Sequence, residues 1–105
     1  MDKRVKRVVL LIEQDIRKSP TLDEIAQVVN LSSSHIYHLF RSEIGVSPTR
    51  YLKMLRIKKA IELLETTFMS VKEIVAAVGG NDRSHFVRDF KKEYKMTPTQ
   101  YRRSL

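Results

Sequence analysis

Cysteine is absent from the 105 residues, which removes disulfide scaffolds, thiolate zinc sites and cysteine nucleophiles from the available chemistry. That absence agrees with a reducing compartment, and the cytosol is the default expectation. Proline and glycine are scarce, with three of each. They fall at Pro20, Gly45, Pro48, Gly79, Gly80 and Pro98, between apolar-periodic segments, and no segment alternates as a strand would. The expected fold class is therefore all-α. Long hydrophobic runs are missing too. Val8-Val9-Leu10-Leu11-Ile12 is shorter than the roughly 7 to 15 residues of a signal core and far short of the roughly 20 of a membrane span, so it reads as helix.

Acidic charge is in deficit. Lys and Arg number 20 against 12 Asp and Glu, for a net charge of +8 and a pI near 10.0. Such a balance favours a polyanionic partner, although many basic proteins simply solvate their charges. The length suits one ordinary domain, and one compact unit with a continuous core is expected.

What the chain does contain is a repeat. Val5, Val8, Val9, Ile12 and Ile16 mark one face of a first helix, expected to end near Ser19-Pro20. Thr21 and Glu24 then form a capping box, followed by Leu22, Ile25, Ala26 and Val29 at helical spacing. Forty-nine residues later, Ser70 and Glu73 form the same box ahead of Val71, Ile74, Val75 and Val78. Met69 before that cap and Ile74 within the helix have the spacing of a hydrophobic staple.

Each boxed helix is followed by a turn and a second helix, one carrying Ile36 and Phe40, the other Phe86 and Phe90. Both then run into a hydroxyl-Pro start, Ser47-Pro48 or Thr97-Pro98. Pro48 to about Glu65 reads as a longer linker helix, with Leu52, Leu55, Ile61 and Leu64 inward and Lys53, Arg56, Lys58 and Lys59 mostly outward. The predicted architecture is two helix-turn-helix units, over about 21–44 and 70–94, joined by this helix, with about seven helices in all.

A helix-turn-helix packs one face of its second helix and projects the other into a major groove. In the first copy Ile36, Leu39, Phe40 and Ile44 share the inward face, leaving Ser34, Tyr37, His38 and Arg41 outside, with Ser33 in the same first turn. In the second, Phe86, Phe90 and Tyr94 turn inward, leaving Arg83, Ser84, Arg88 and Lys91 outside with Val87 as the apolar exception. Arginine forks suit guanine edges, hydroxyls suit several bases, and Val87 suits a thymine methyl. The linker-helix charges, with Arg102 and Arg103, are candidate phosphate contacts. A linker of about 18 residues spans about 27 Å, less than the roughly 34 Å between successive major-groove faces, so modest DNA bending or incomplete insertion of one helix is expected.

Taken with Ile57-Lys58-Lys59-Ala60-Ile61-Glu62-Leu63-Leu64, Ser70-Val71-Lys72-Glu73-Ile74-Val75, Phe86-Val87-Arg88-Asp89-Phe90-Lys91-Lys92 and the closing Thr97-Pro98-Thr99-Gln100-Tyr101-Arg102, these features resemble the AraC/XylS family of bacterial transcriptional regulators. The resemblance covers about residues 5 to 103. It implies a single seven-helix domain reading two adjacent major-groove segments of a promoter, usually to activate transcription. Its base-contact positions fall at Ser34, Tyr37, His38, Arg83, Ser84, His85 and Arg88. Double-stranded DNA is the implied partner, with RNA polymerase and a sensor or dimerisation domain outside this chain as further ones. The implied location is the bacterial cytoplasm at the nucleoid, with no membrane and no cofactor.

Two positions depart from the family pattern. Gly80 replaces a customary aromatic, which predicts a looser turn and a missing core side chain. Lys95 stands where the family favours glycine and bears strain if that turn needs positive φ.

An enzyme reading would rest on His35 and His38 with Glu43 nearby, but no third ligand at helical spacing and no phosphate loop accompany them. His35 and His85 recur with the core residues, which suits a structural place beside the turn, whereas His38 is expected to face DNA. A protein-interaction module is the other alternative, since basic helices also bind acidic surfaces. RNA binding lacks a stacking signature.

Overall fold

In a computed structural model, residues 1–79 and 82–105 are described, and among them the regular structure is entirely helical. Seven helices follow in order: α1 (Lys3–Gln14), α2 (Leu22–Val28), α3 (Ser33–Ile44), α4 (Pro48–Thr66), α5 (Val71–Ala77), α6 (Arg83–Tyr94) and α7 (Pro98–Arg103).

The starts are written in hydroxyl and carboxylate caps. Thr21 and Ser70 each accept from the backbone N–H three residues on, and Glu24 and Glu73 reach back to the N–H of Thr21 and Ser70 at 3.1 and 2.9 Å. Those returning N–H groups hold both glutamates below the ordinary carboxylate range. Thr97 with Gln100 closes a third box, ahead of Pro98 at the first helical position. Ser32 and Asp82 cap α3 and α6 through the N–H groups of His35 and His85.

Helix α1 stops at Gln14, five residues short of the Ser19-Pro20 breaker. The cause is Asp15, whose backbone is extended at φ −153° and whose carboxylate accepts the N–H of Arg17 at 3.0 Å. That local bond competes with the next helical turn.

The chain divides into two compact units, residues 1–55 and 56–105, where length alone suggested one. Each copy of the repeat closes its own core. In the first, Val5, Val8, Ile12, Ile25, Ala26, Ile36, Phe40 and Leu52 form a buried cluster, with Leu22, Val29, Leu39, Ile44 and Tyr51 partly buried against it. In the second, Ile57, Ala60, Leu64, Ile74, Val75, Val78, Phe86 and Phe90 are buried.

Helix α4 contributes to both units, Pro48 and Leu52 to the first and Ile57, Ala60 and Leu64 to the second. At 100° per residue the two sets fall on different faces of the helix, so α4 has no single apolar stripe. Ile57 and Ala60 were not among the residues expected inward, Ile61 is only half-buried, and Arg56 is half-buried rather than outward.

Tyr94 is a further correction. It is 42 % exposed and stacks on Phe90 from outside, with ring centroids 5.2 Å apart. Aromatic rings otherwise mark the same place in each unit. Tyr51 meets Phe40 edge-on at 5.8 Å and Tyr101 meets Phe90 at 6.0 Å. Their hydroxyls donate to Glu13 at 2.8 Å and to Glu65 at 2.5 Å. Each tyrosine thus ties the helix after the second HTH element back to the helix that opens its unit.

The turns need left-handed backbone at matching points. Gly45 (φ 94°) and Lys95 (φ 63°) close α3 and α6, and Asn30 (φ 55°) and Gly79 (φ 90°) follow α2 and α5. Lys95 therefore does adopt the conformation for which glycine is better suited. The expectation attached to Gly80 lies outside the described residues.

Two stability outcomes follow. Phe40 and Phe90 are 0 % exposed, so Phe40→Ala and Phe90→Ala should each cost about 3–5 kcal/mol in denaturant unfolding. An unchanged midpoint for either would refute its placement. Lys95→Gly should gain about 0.5–1 kcal/mol, the relief of left-handed backbone less the extra entropy of a flexible unfolded chain. A loss in the same titration would show that the Lys95 side chain contributes more than its backbone costs.

Candidate nucleic-acid interface

The packing that buries Ile36 and Phe40 decides what α3 can offer outward. Ser34, His38 and Arg41 are exposed and Tyr37 is half-buried, at positions i, i+4, i+7 and i+3 of one stripe. Ser33 is half-buried and its hydroxyl donates to the Asp23 carboxylate, so it ties α3 to α2. Within the stripe the side chains engage one another. Arg41 donates from Nη1 to the Tyr37 hydroxyl at 3.2 Å, and the Tyr37 and His38 rings meet edge-on at 5.3 Å.

Helix α6 repeats the stripe fifty residues on, with Ser84, Val87, Arg88 and Lys91 in place of Ser34, Tyr37, His38 and Arg41. Arg83, Ser84, Arg88 and Lys91 are exposed and Val87 is half-buried, and with Lys92 they line one open groove along the helix. Its floor is apolar and its rim is cationic. The α6 stripe thus carries more permanent positive charge, while the α3 stripe relies on hydroxyl, imidazole and a single guanidinium.

His85 and His35 are both exposed, so the structural place inferred from their recurrence is not in a core. His85 Nδ1 lies 3.9 Å from Asp82 Oδ2, a distance that gives attraction only when the ring is protonated. The backbone N–H of His85, donating to Asp82, is the leading cause that holds that carboxyl below its usual range.

Arg102 has a different part from the phosphate contact first expected. Its guanidinium donates to three backbone carbonyls of the α4–α5 connection, Leu64 at 3.4 Å, Met69 at 2.5 Å and Thr67 at 3.2 Å. It clamps the approach to the second helix-turn-helix, and its counterpart fifty residues earlier is the buried Leu52. Nothing in the sequence pattern separates this clamp from the exposed Arg103 beside it. Among the outward charges of α4, Lys59 pairs with Glu62 at 3.3 Å, with both side chains largely in solvent. Burial lowers the pKa of the half-buried Arg56.

A capped short helix, a turn at positive φ and a second helix with a packed and a polar face, present twice, define a helix-turn-helix protein. Residues 25–104 match the family described as a helix-turn-helix domain. Among solved structures, the C-terminal domain of the two-component response regulator yesN of Fusobacterium nucleatum is 32% identical, with a TM-score of 0.87 over 96% of this chain and 99% of that one. A transcriptional regulator from Chromobacterium violaceum, described as an AraC-type DNA-binding domain-containing protein, is 29% identical, with a TM-score of 0.83 over 94% of this chain and 88% of that one. The lactose operon transcription activator of Staphylococcus xylosus is 32% identical over 93% of this chain and 35% of its own length.

The chain belongs to the AraC/XylS-type helix-turn-helix regulators. This is a family of regulators, not of enzymes. The chain spans about a third of the length of the curated relatives it matches. Among the described residues no helix is long and apolar enough to cross a membrane.

Replacing Arg102 by Ala should lower stability by about 2–3 kcal/mol, because several half-buried carbonyls lose a charged donor. Arg103→Ala should stay within about 0.5 kcal/mol of the parent. Thermal unfolding of the two variants distinguishes them, and equal shifts would count against the clamp.

Proposed function

We propose that the chain is the DNA-reading module of a bacterial transcription regulator, with α3 and α6 each entering a major-groove segment of a promoter. The observation that carries this reading is the repeated outward stripe, set by one register on both second helices. Buried phenylalanines at 40 and 90 fix the inward face, so the same four positions face away from the core in each unit.

The chemistry of the stripes suits base edges. Arg88 and Arg41 offer forked donors for guanine, His38 and Ser34 or Ser84 offer single hydrogen bonds, and the half-buried Val87 offers an apolar surface for a thymine methyl. Arg83 and Lys91 at the rim, with the net charge of +8, favour phosphates and a salt-dependent share of affinity. Relatives named as transcription activators and regulators support activation as the outcome.

A sensing or dimerisation domain is a further partner under this reading, on the ground that the relatives are much longer than this chain, and RNA polymerase is the partner that activation would call for. Such a module would work in the cytoplasm, at the nucleoid, without a cofactor.

Selection from a random duplex library at near-physiological salt tests the proposal directly. Two short motifs with centres about one helical turn apart are the expected result. No retention of any duplex would defeat the reading. In the same assay Arg88→Ala should cost about 1–3 kcal/mol and relax preference in one motif only. A loss spread evenly over all sequences would instead make Arg88 a phosphate contact.

A further inference from the structure

We infer that Tyr37 is a positioning residue, whose phenol holds Arg41 ready to read a guanine in the segment served by the first unit. The inference rests on the DNA-reading function proposed above and names one of its specificity determinants.

Arg41 lies in the last turn of α3, beyond the first turns from which a recognition helix ordinarily reaches bases. Left to itself, so long a side chain at such a position samples many rotamers and acts as a diffuse charge beside the phosphates. Here it does not. Side chains on a helix lean toward its N-terminus, and the guanidinium runs back one turn to donate from Nη1 to the Tyr37 hydroxyl at 3.2 Å. The charge is carried to the level of Tyr37 and His38, in the middle of the outward stripe.

The bond uses one N–H of a five-donor fork, and the edge formed by Nε and Nη2 is chemically intact for a two-point contact. Guanine, with O6 and N7 side by side, is the base edge that accepts such a pair.

The second unit has no equivalent. Fifty residues on, Val87 stands for Tyr37 and Lys91 for Arg41, which removes both the phenol and the fork. The guanine reader of that unit is then Arg88, in the second turn of α6. The two copies therefore read through different rungs of the same stripe.

The test compares the parent chain with Tyr37→Phe, Arg41→Ala, Arg41→Lys and the double variant Tyr37→Phe/Arg41→Ala. Each binds the best duplex from the selection and versions of it changed at single base pairs. Tyr37→Phe should lower the preference for guanine at one position of the first motif by about 2- to 13-fold, the range of one net hydrogen bond. The other motif and the thermal midpoint should stay unchanged. Arg41→Ala should abolish that preference, Arg41→Lys should do so while keeping most non-specific affinity, and the double variant should match Arg41→Ala alone.

An unchanged preference in Tyr37→Phe would overturn the inference. So would additive losses in the double variant, which would make Tyr37 a direct base contact, or a loss uniform over all sequences, which would make Arg41 a phosphate contact. These outcomes leave the DNA-reading function intact, whereas a parent chain without any sequence preference would remove both.

Discussion

Each half of this chain is organised around one phenylalanine ring. Phe40 and Phe90 are fully buried at matching positions of the two units. Units of about fifty residues bury a modest fraction of their surface, so each large buried ring contributes substantially to the driving force. The ring also fixes rotation. With Phe40 inside, Ser34, Tyr37, His38 and Arg41 are turned away from the core, and the same holds for the equivalent residues around Phe90. A tyrosine from the following helix closes each ring on one side and bonds a glutamate on the opening helix, Glu13 or Glu65.

That last pairing exposes what the sequence pattern conceals. Caps, hydrophobic spacing and breakers were enough to place the two helix-turn-helix units and the class of the fold, because those signals are local and recur 49 or 50 residues apart. A further correspondence is less visible. Val5, Val8, Ile12 and Glu13 return as Ile57, Ala60, Leu64 and Glu65, each 52 residues on, so the second half of α4 repeats α1. As a linker, α4 reads as a helix with one poor stripe. It carries two short apolar faces in succession, and periodicity averaged over the helix cancels them.

The remaining surprises depend on long-range partners that no local pattern encodes. Arg102 and Arg103 are adjacent and chemically identical, yet one reaches carbonyls more than thirty residues away and the other stays exposed. Tyr94 has the spacing of a core residue but the second unit is already filled by Phe90, and the ring settles against it from outside. The outward residues of α3 and α6 were legible because helical geometry alone sorts inside from outside. The bond between Tyr37 and Arg41 was not, since it depends on rotamers.

The left-handed backbone positions form their own pattern. Asn30, Gly45 and Lys95 are exposed and Gly79 is half-buried, and they pair across the repeat as Asn30 with Gly79 and Gly45 with Lys95. Space does not explain the glycine at position 45, since a methyl group there would meet nothing within 4 Å. What the two copies have inherited in common is a torsion angle, reached with glycine in one copy and with a longer residue in the other. Exposure is therefore a poor guide to mutability in this protein. A survey that ranked sites by solvent contact would count these turns as free to drift, although a β-branched residue at any of them would misdirect the helix that follows.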